Sequence, residues 1–130
     1  LAVLSNSFTE EKMDNNESRV VLKIPAILSP TKAAILPLTK KNGLPEKAKK
    51  IMDSLKVTFN CQYDEKDSIG KRYRRQDAIG TPFCITVDHQ TLEDNTVTLR
   101  DRDTMIQERV LAENLYAIVS EKVNIAKYLI

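Results

Sequence analysis

Apolar residues recur along this chain in two patterns, short runs of strand length and longer segments with helical spacing. Residues 33–38 form an apolar run with Pro37 near its end, which is typical of a strand covered on both faces of a sheet. Pro45 then stands at a favoured first position of a helix. Apolar residues at helical spacing after it predict an amphipathic helix on the sheet. These residues are Ala48, Ile51, Met52, Leu55 and Phe59.

A second strand and helix are predicted next. Residues 61–63 are apolar enough for a short strand, and a helix between two strands makes the right-handed crossover that sets them parallel. Ser68 is suited to cap a helix from about Ile69. Gly80 is suited to end that helix in a left-handed conformation.

An antiparallel hairpin and a last helix complete the predicted fold. Residues 83–88 and 96–100 alternate polar and apolar positions, with a polar turn at residues 91–95. A strand near residues 106–111 precedes the last helix. The buried side of that helix is marked by Leu115, Ile118, Val119, Val123, Ala126 and Leu129. The order βαβαβββα predicts an α/β fold with a mixed five-stranded sheet flanked by helices.

The N-terminal part of the chain has a different character. Residues 9–19 are polar and acidic without apolar periodicity, which predicts a surface loop or linker. Residues 20–24 favour a short strand, and Pro25 and Pro30 leave an extended connector after it. The predicted domain boundary falls near Thr31.

Composition is that of an ordinary globular domain. Of the 130 residues, 42% are hydrophobic and 29% charged. No run approaches the roughly 18 apolar residues of a membrane span, and the first residues do not resemble a signal peptide. We therefore expect an intracellular protein without a membrane partner. A net charge of +2 is too small to indicate whether the protein binds nucleic acid. The local distribution of charge is therefore the more informative property.

The sequence predicts no catalytic or metal site. Cys61 and Cys84 lie in separate apolar runs at a spacing that matches no zinc motif. We expect two reduced core thiols, with a disulfide or redox role as the alternative. His89 stands beside the predicted turn without a nucleophile at motif spacing.

A basic cluster, KRYRR, opens the predicted second helix at residues 71–75. Such a cluster attracts phosphates, and arginine also stacks on unpaired bases. Taken alone, a basic helix face is more often solvated, with Tyr73 in the core, and RNA contacts by Arg72, Arg74 and Arg75 are the alternative.

Polar groups also line up on one face of the predicted hairpin. Strand parity places Thr86 with Asp88, and Thr98 with Arg100. We expect these side chains to contact RNA, with Arg100 as the main base reader.

The segment RDRD at residues 100–103 alternates in charge. Arg100 and Arg102, each beside a carboxylate, are suited to hydrogen-bond forks that read base edges. The alternative is an internal salt-bridge network that ties the hairpin to the second helix. Gln76 and Asp77 are placed to hold an arginine.

Residues 69–105 as a whole resemble glycyl-tRNA synthetases. The segments KRYRRQD, IGTPFCITVD and TLEDNTVTLRDRDTM are nearly the wording of the C-terminal anticodon-binding domain in that family. The likeness continues more loosely through PAILSPTKAAILPL and residues 113–129. The opening LAVLSNSF resembles the helix after the last catalytic motif of class II synthetases.

The resemblance implies that residues 31–130 are an anticodon-binding domain and residues 1–30 the end of a catalytic domain plus a linker. It implies recognition of the tRNA(Gly) anticodon loop for an enzyme that attaches glycine to tRNA with ATP and magnesium. It also favours RNA contacts by Arg72, Arg74 and Arg75. The implied partners are the catalytic domain of the same chain and, in a cytoplasmic homodimer, a second copy. This chain alone is expected to be non-catalytic and without a cofactor, because the ATP-binding motifs would precede Leu1.

Two other classes of protein fit the sequence less well. The accessory subunit of mitochondrial DNA polymerase carries a related domain for assembly and DNA binding, but RRQD and RDRD resemble the synthetases more closely. A small α/β enzyme or thiol-redox protein lacks support, because the sequence shows no catalytic constellation and no C-x-x-C motif.

Overall fold

The computed structural model describes residues 8–12, 18–22 and 29–123. Within them the chain forms a two-stranded and a five-stranded sheet, with helices on both faces of the larger one. The elements in chain order are β1 (Phe8–Lys12), β2 (Ser18–Leu22), β3 (Ala33–Pro37), α1 (Leu44–Leu55), β4 (Cys61–Tyr63), α2 (Ile69–Ile79), β5 (Phe83–Val87), α3 (His89–Asp94), β6 (Thr96–Asp101), β7 (Gln107–Leu111), a 3-10 turn (Ala112–Asn114) and α4 (Leu115–Val123).

The larger sheet has the strand order β4-β3-β5-β6-β7. Strand β3 runs parallel to β4 and β5, whereas β6 and β7 are antiparallel to their neighbours. Every residue of β3 and of β5 is buried, as expected for central strands with both faces covered. The predicted mixed five-stranded sheet is therefore confirmed.

The two faces of this sheet are covered unequally. On one face, α1 and α4 contribute to the main core with residues that include Ile51, Leu55, Leu115 and Val119. On the other face, α2 packs Ile69 and Tyr73 over a smaller cluster. That cluster consists of Ala34, Leu36 and Cys84, all on β3 and β5. On the α2 face of β6 and β7, helix α2 does not cover every side chain. Thr96 and Thr98 of β6 are partly exposed, and Gln107 and Arg109 of β7 are exposed.

Helix α2 begins and ends where its capping residues predict. The Ser68 hydroxyl accepts a hydrogen bond from the backbone N–H of Lys71 at 3.3 Å. Gly80 has φ 85°, and its N–H donates to the carbonyl of Asp77. Both predictions are confirmed.

The connection between β5 and β6 is a short helix and not the polar turn that was predicted. Residues 89–94 form the short helix α3, because the Asp88 side chain accepts from the Thr91 N–H while the Thr91 hydroxyl accepts from the Asp88 N–H. Asn95 ends the helix with φ 59°. His89 is thus the first residue of a helix, and it is exposed.

Within the N-terminal segment, strands replace part of the surface loop that was predicted for residues 9–19. Strands β1 and β2 form an antiparallel hairpin, with Thr9 opposite Val21. The hairpin packs against α2, and Val21 is fully buried. Backbone hydrogen bonding and one buried valine order a segment whose polar composition alone predicted a loop.

Other predictions fall outside the described residues: the opening helix in residues 1–7, most of the proline connector in residues 23–28, and the last helix beyond residue 123. In the part of the chain that the structure describes, no helix has the length and apolar character needed to cross a membrane.

Candidate nucleic-acid interface

The side of the sheet beyond α2 presents hydrogen-bonding groups at its surface. Cross-strand register places Thr86 opposite Thr98, and Thr98 opposite Arg109. Directly paired residues share a face of the sheet. We call the resulting surface the open polar face. It consists of Asp88, Thr96, Thr98, Gln107 and Arg109, and the buried Thr86 borders it.

A groove runs along the boundary between α2 and the open polar face. Its volume is about 260 Å³. One wall is apolar and the other polar, an arrangement that suits a small planar group with a polar edge. The lining residues are Leu38, Ile69, Tyr73, Thr86, Asp88, Thr98 and Gln107.

Arg109 is fixed on the open polar face by hydrogen bonds along its whole edge. Its terminal nitrogens donate to the Asp88 carboxylate at 2.9 and 2.6 Å. Its Nε donates to Thr96 Oγ1 at 2.8 Å, and a terminal nitrogen to Thr98 Oγ1 at 3.2 Å. The hydrogen bond from Arg109 lowers the pKa of Asp88, and the same pairing raises the pKa of Arg109. The pair is therefore ionised at neutral pH.

Arg100, predicted as the main base reader, is buried instead. It shares the α2 face of β6 with Thr98, but its terminal nitrogens donate to the Asp77 carboxylate at 2.9 and 3.2 Å. The guanidinium also lies 4.7 Å from the centre of the Tyr73 ring. Burial alone would lower the pKa of Arg100, but Asp77 outweighs it and raises that pKa. A base cannot reach this guanidinium, so the structure gives it an internal role.

Tyr73 joins this buried pair to the groove. Its hydroxyl lies 2.6 Å from Thr86 Oγ1, and its ring packs against the small cluster beneath α2. Asp77, Arg100, Tyr73 and Thr86 thus form a chain of contacts from the interior to the groove floor. The prediction that Asp77 holds an arginine is confirmed.

Two other arginines that were predicted to contact RNA are buried. Arg102 donates to the Gly80 carbonyl at 2.9 Å and pairs with Asp103, so it ties β6 to the end of α2. Arg72 donates to the carbonyls of Pro37, Leu38 and Asp64. Each arginine is 3% exposed. The alternative of an internal network between hairpin and helix is what the structure shows.

The rest of the basic cluster lies nearer the surface. Arg75 is exposed, and its charge is offset by Asp64 at 3.2 Å and Asp67 at 3.3 Å. Arg74 is half-buried and Lys71 exposed. The cluster winds around α2, with Arg72 and Tyr73 turned inward. RNA contacts by Arg74 and Arg75 stay predictions.

Thr86, Asp88 and Thr98 meet at the groove, as strand parity predicted. Gln107 and Arg109 were missed, although residues 106–111 were predicted as a strand. The same strand parity, applied to β7, would have placed both residues on this face. Arg109 pairs with Thr98, and Gln107 pairs with Arg100. RNA binding by Thr86, Asp88 and Thr98 stays a prediction.

The two cysteines are free thiols. Burial raises the pKa of Cys61 to about 11 and that of Cys84 to about 12. Both thiols are therefore protonated at neutral pH and unsuited to nucleophilic chemistry. Among the described residues, no group of three His, Cys, Asp or Glu side chains is arranged to hold a metal ion.

Comparison with known proteins places these features in a family. Residues 32–122 match the family model described as the anticodon binding domain. The solved structure of the RNA binding domain of threonyl-tRNA synthetase from Cryptosporidium parvum Iowa II is similar, with a TM-score of 0.69 and 27% identity. That likeness covers 77% of this chain and 25% of the other.

Similar sequences are named glycine–tRNA ligase. The protein from Clostridium tetani is 54% identical over 95% of this chain and 26% of its own length. That from Borrelia hermsii is 46% identical over 95% of this chain and 28% of its own length. The chain thus spans about a quarter of the relatives it matches. These names do not favour a polymerase accessory subunit. With the family match over residues 32–122 and the same sheet architecture, the chain belongs to the anticodon binding domain family.

Proposed function

We propose that this chain is the anticodon-recognition domain of a glycine–tRNA ligase. Its role is to bind the anticodon loop of tRNA(Gly), while a catalytic domain of the same protein attaches glycine with ATP and magnesium. The names of relatives that match 95% of the chain support this assignment. The observation that carries it is the open polar face, which offers hydrogen-bonding groups beside a groove.

The surface suits a single-stranded loop better than a duplex. Sequence-specific proteins read RNA mainly at unpaired bases, which they splay out and hydrogen-bond along their edges. Thr98 and Gln107 present such groups, whereas the N–H groups of Arg109 are already occupied by Asp88, Thr96 and Thr98. On α2, Arg74 and Arg75 are our proposed contacts to the RNA backbone.

For the longer protein we propose a cytoplasmic homodimer, in which residues 31–130 recognise the anticodon and residues 1–30 belong to the end of the catalytic domain and a linker. The resemblance to glycyl-tRNA synthetases supports these points. The hairpin of β1 and β2 packs on α2, so the leading segment contacts the RNA-binding domain closely.

The test is binding of this chain to labelled anticodon stem-loops. Glycine codons begin with two guanines, so the anticodon of tRNA(Gly) carries two cytosines. We expect the stem-loop with both cytosines to bind more tightly than one in which both are uracil, as measured by fluorescence anisotropy. Equal affinity for the two RNAs, or no binding to either, would show that the chain does not recognise the glycine anticodon.

Arg74→Ala tests the proposed backbone contact. We expect weaker binding to both stem-loops by the same factor, with the salt dependence of log K reduced by about 0.7 for a lost single-strand phosphate contact. A variant that binds with the wild-type salt dependence would remove Arg74 from the interface.

A further inference from the structure

We propose that four lysines around the N-terminal end of α1 form a surface that binds the sugar–phosphate backbone of RNA. The proposal rests on the RNA-binding function proposed above, and it names the residues that attract the RNA electrostatically. We call these residues the lysine surface. It consists of Lys40, Lys41, Lys47 and Lys50.

Positive charge is concentrated in the loop after β3 and in α1. Residues 39–56 hold six lysines and two acidic residues, whereas the rest of the chain has more acidic than basic residues. Lysine and arginine side chains that approach phosphates release the counterions condensed on the nucleic acid, and this release favours binding. A basic patch on one side is therefore the electrostatic footprint of RNA binding, even in a chain with a net charge of only +2.

The lysine surface has no internal partners. Among the described residues, none of its four side chains forms an ion pair, a hydrogen bond or a contact over an aromatic ring. Three of them are exposed, and Lys47 is half-buried. The other two lysines of the segment are occupied, because Lys56 pairs with Asp53 at 2.8 Å and Lys49 lies 5.3 Å from the centre of the Tyr63 ring.

The basic cluster of α2 is less available to phosphates than the lysine surface. Arg72 is buried, and its guanidinium donates to backbone carbonyls. Arg75 is paired with Asp64 and Asp67, whose negative charges repel a phosphate that approaches. Unpaired positive charge therefore lies around the start of α1, although the sequence pattern drew attention to α2.

The loop that carries Lys40 and Lys41 is anchored beside the groove. Its first residue, Leu38, lines the groove. The Leu38 N–H donates to the Val87 carbonyl at 2.8 Å, and the Leu38 carbonyl accepts from the buried Arg72 at 3.2 Å. The two lysines follow this fixed residue closely, so they flank the path of an RNA strand that enters the groove.

A tight turn joins this loop to α1. Asn42 and Gly43 have positive φ, 62° and 78°, and the turn is closed by a backbone hydrogen bond of 3.3 Å to the Lys41 carbonyl. Helix α1 begins directly after it, so Lys47 falls in the first turn and Lys50 lies beside it at helical spacing. Loop and helix lysines are thus held close together on a short stretch of ordered backbone.

Two double variants remove the charge of each half of the lysine surface. The loop variant is Lys40→Gln with Lys41→Gln, and the helix variant is Lys47→Gln with Lys50→Gln. Each is titrated by fluorescence anisotropy with the cytosine and the uracil anticodon stem-loops at several salt concentrations. Circular dichroism first checks that each variant is folded.

The matched control is Lys49→Gln with Lys56→Gln. It removes the same amount of charge from the same helix, but from lysines that already have partners within the protein. We expect this control to bind both RNAs with the affinity and the salt dependence of the wild type.

For the loop variant and the helix variant we expect affinity about 10-fold lower at about 0.1 M salt. The slope of log K against log salt should become shallower by about 0.7 for each lost contact to a single-strand phosphate. Both stem-loops should lose affinity by the same factor, because phosphate contacts carry no information about base identity.

The outcomes distinguish the lysine surface from the proposed function. If the wild type binds both stem-loops equally, recognition of the glycine anticodon fails, whereas shallower slopes in the two variants still support the lysine surface. If the wild type prefers cytosine and a folded variant keeps the wild-type slope, that half of the lysine surface is overturned and the proposed function stands. An equal loss in the control would overturn the whole surface, because net charge alone would then explain the effect. A wild type that binds neither RNA would overturn both proposals.

Discussion

Two arginine–aspartate pairs lie on the same face of one sheet and differ in what covers them. Arg100 and Asp77 lie beneath α2 with side chains 6% and 0% exposed. Arg109 and Asp88 lie beyond α2 with side chains 29% and 22% exposed. Both pairs are bidentate, and both arginines lie on antiparallel strands. Geometry within the pair is thus similar, and burial is the main difference.

Burial decides what each pair does. In the interior, ions interact strongly but have lost their hydration, so removal of one leaves a charge with neither partner nor water. Arg100 therefore holds α2 against β6. At the surface, the same pairing contributes little stability. It fixes the orientation of a guanidinium whose outer side stays accessible, which is what a binding surface needs.

The largest effect should come from breaking the buried pair. We expect Arg100→Met to lower the free energy of unfolding by about 3–5 kcal/mol, because the Asp77 carboxylate, 0% exposed, loses the guanidinium that pairs with it. Urea denaturation measures the change. The matched surface variant, Arg109→Met, should cost at most about 1 kcal/mol.

The double variant Asp77→Leu with Arg100→Met sharpens this test. Replacement of a buried pair by apolar side chains is often nearly neutral, so the double variant should recover part of the stability that Arg100→Met loses. If Arg100→Met is as stable as the wild type, the buried pair does not hold α2 to the sheet.

A smaller effect should come from the hydroxyl that links Tyr73 to Thr86. Tyr73→Phe keeps the ring near Arg100 and removes a hydrogen bond of 2.6 Å, so we expect a loss of about 1 kcal/mol in urea denaturation. Thr98→Val, on the open polar face, should change stability by no more than about 0.5 kcal/mol. Equal losses in the two variants would contradict the contrast between covered and uncovered parts of this face.

The smallest effect concerns the pKa of Asp88. Hydrogen bonds from Arg109 are the main cause that lowers it, opposed by burial and assisted by the Thr91 N–H. Because the folded pKa lies below the unfolded value near 3.9, the stability from this pair is present above about pH 4 and is lost as pH falls through the folded pKa. Arg109→Met should raise the Asp88 pKa, as measured by carbon NMR of the carboxyl group. An unchanged pKa would mean that the pair does not form in solution.

Features set by neighbouring residues were predictable from the sequence. The sequence correctly predicted that α2 begins after Ser68 and ends before Gly80. Capping depends only on the local backbone and on one or two side chains. The apolar runs of β3 and β5 predicted central strands, and strand parity placed Thr86 and Thr98 on one face. The resemblance to a known family was also readable, because it rests on the continuous segment of residues 69–105.

Only the tertiary structure decided which polar residues are accessible. Parity assigns Arg100 and Thr98 to one face, but it says nothing about how far α2 extends over that face. The burial of Arg100 depends on α2, which is brought there by contacts distant in sequence, such as Arg100 with Asp77. Arg109 likewise depends on its long-range partner Asp88. Side-chain direction is a local property of a strand, whereas solvent exposure is set by what packs above it.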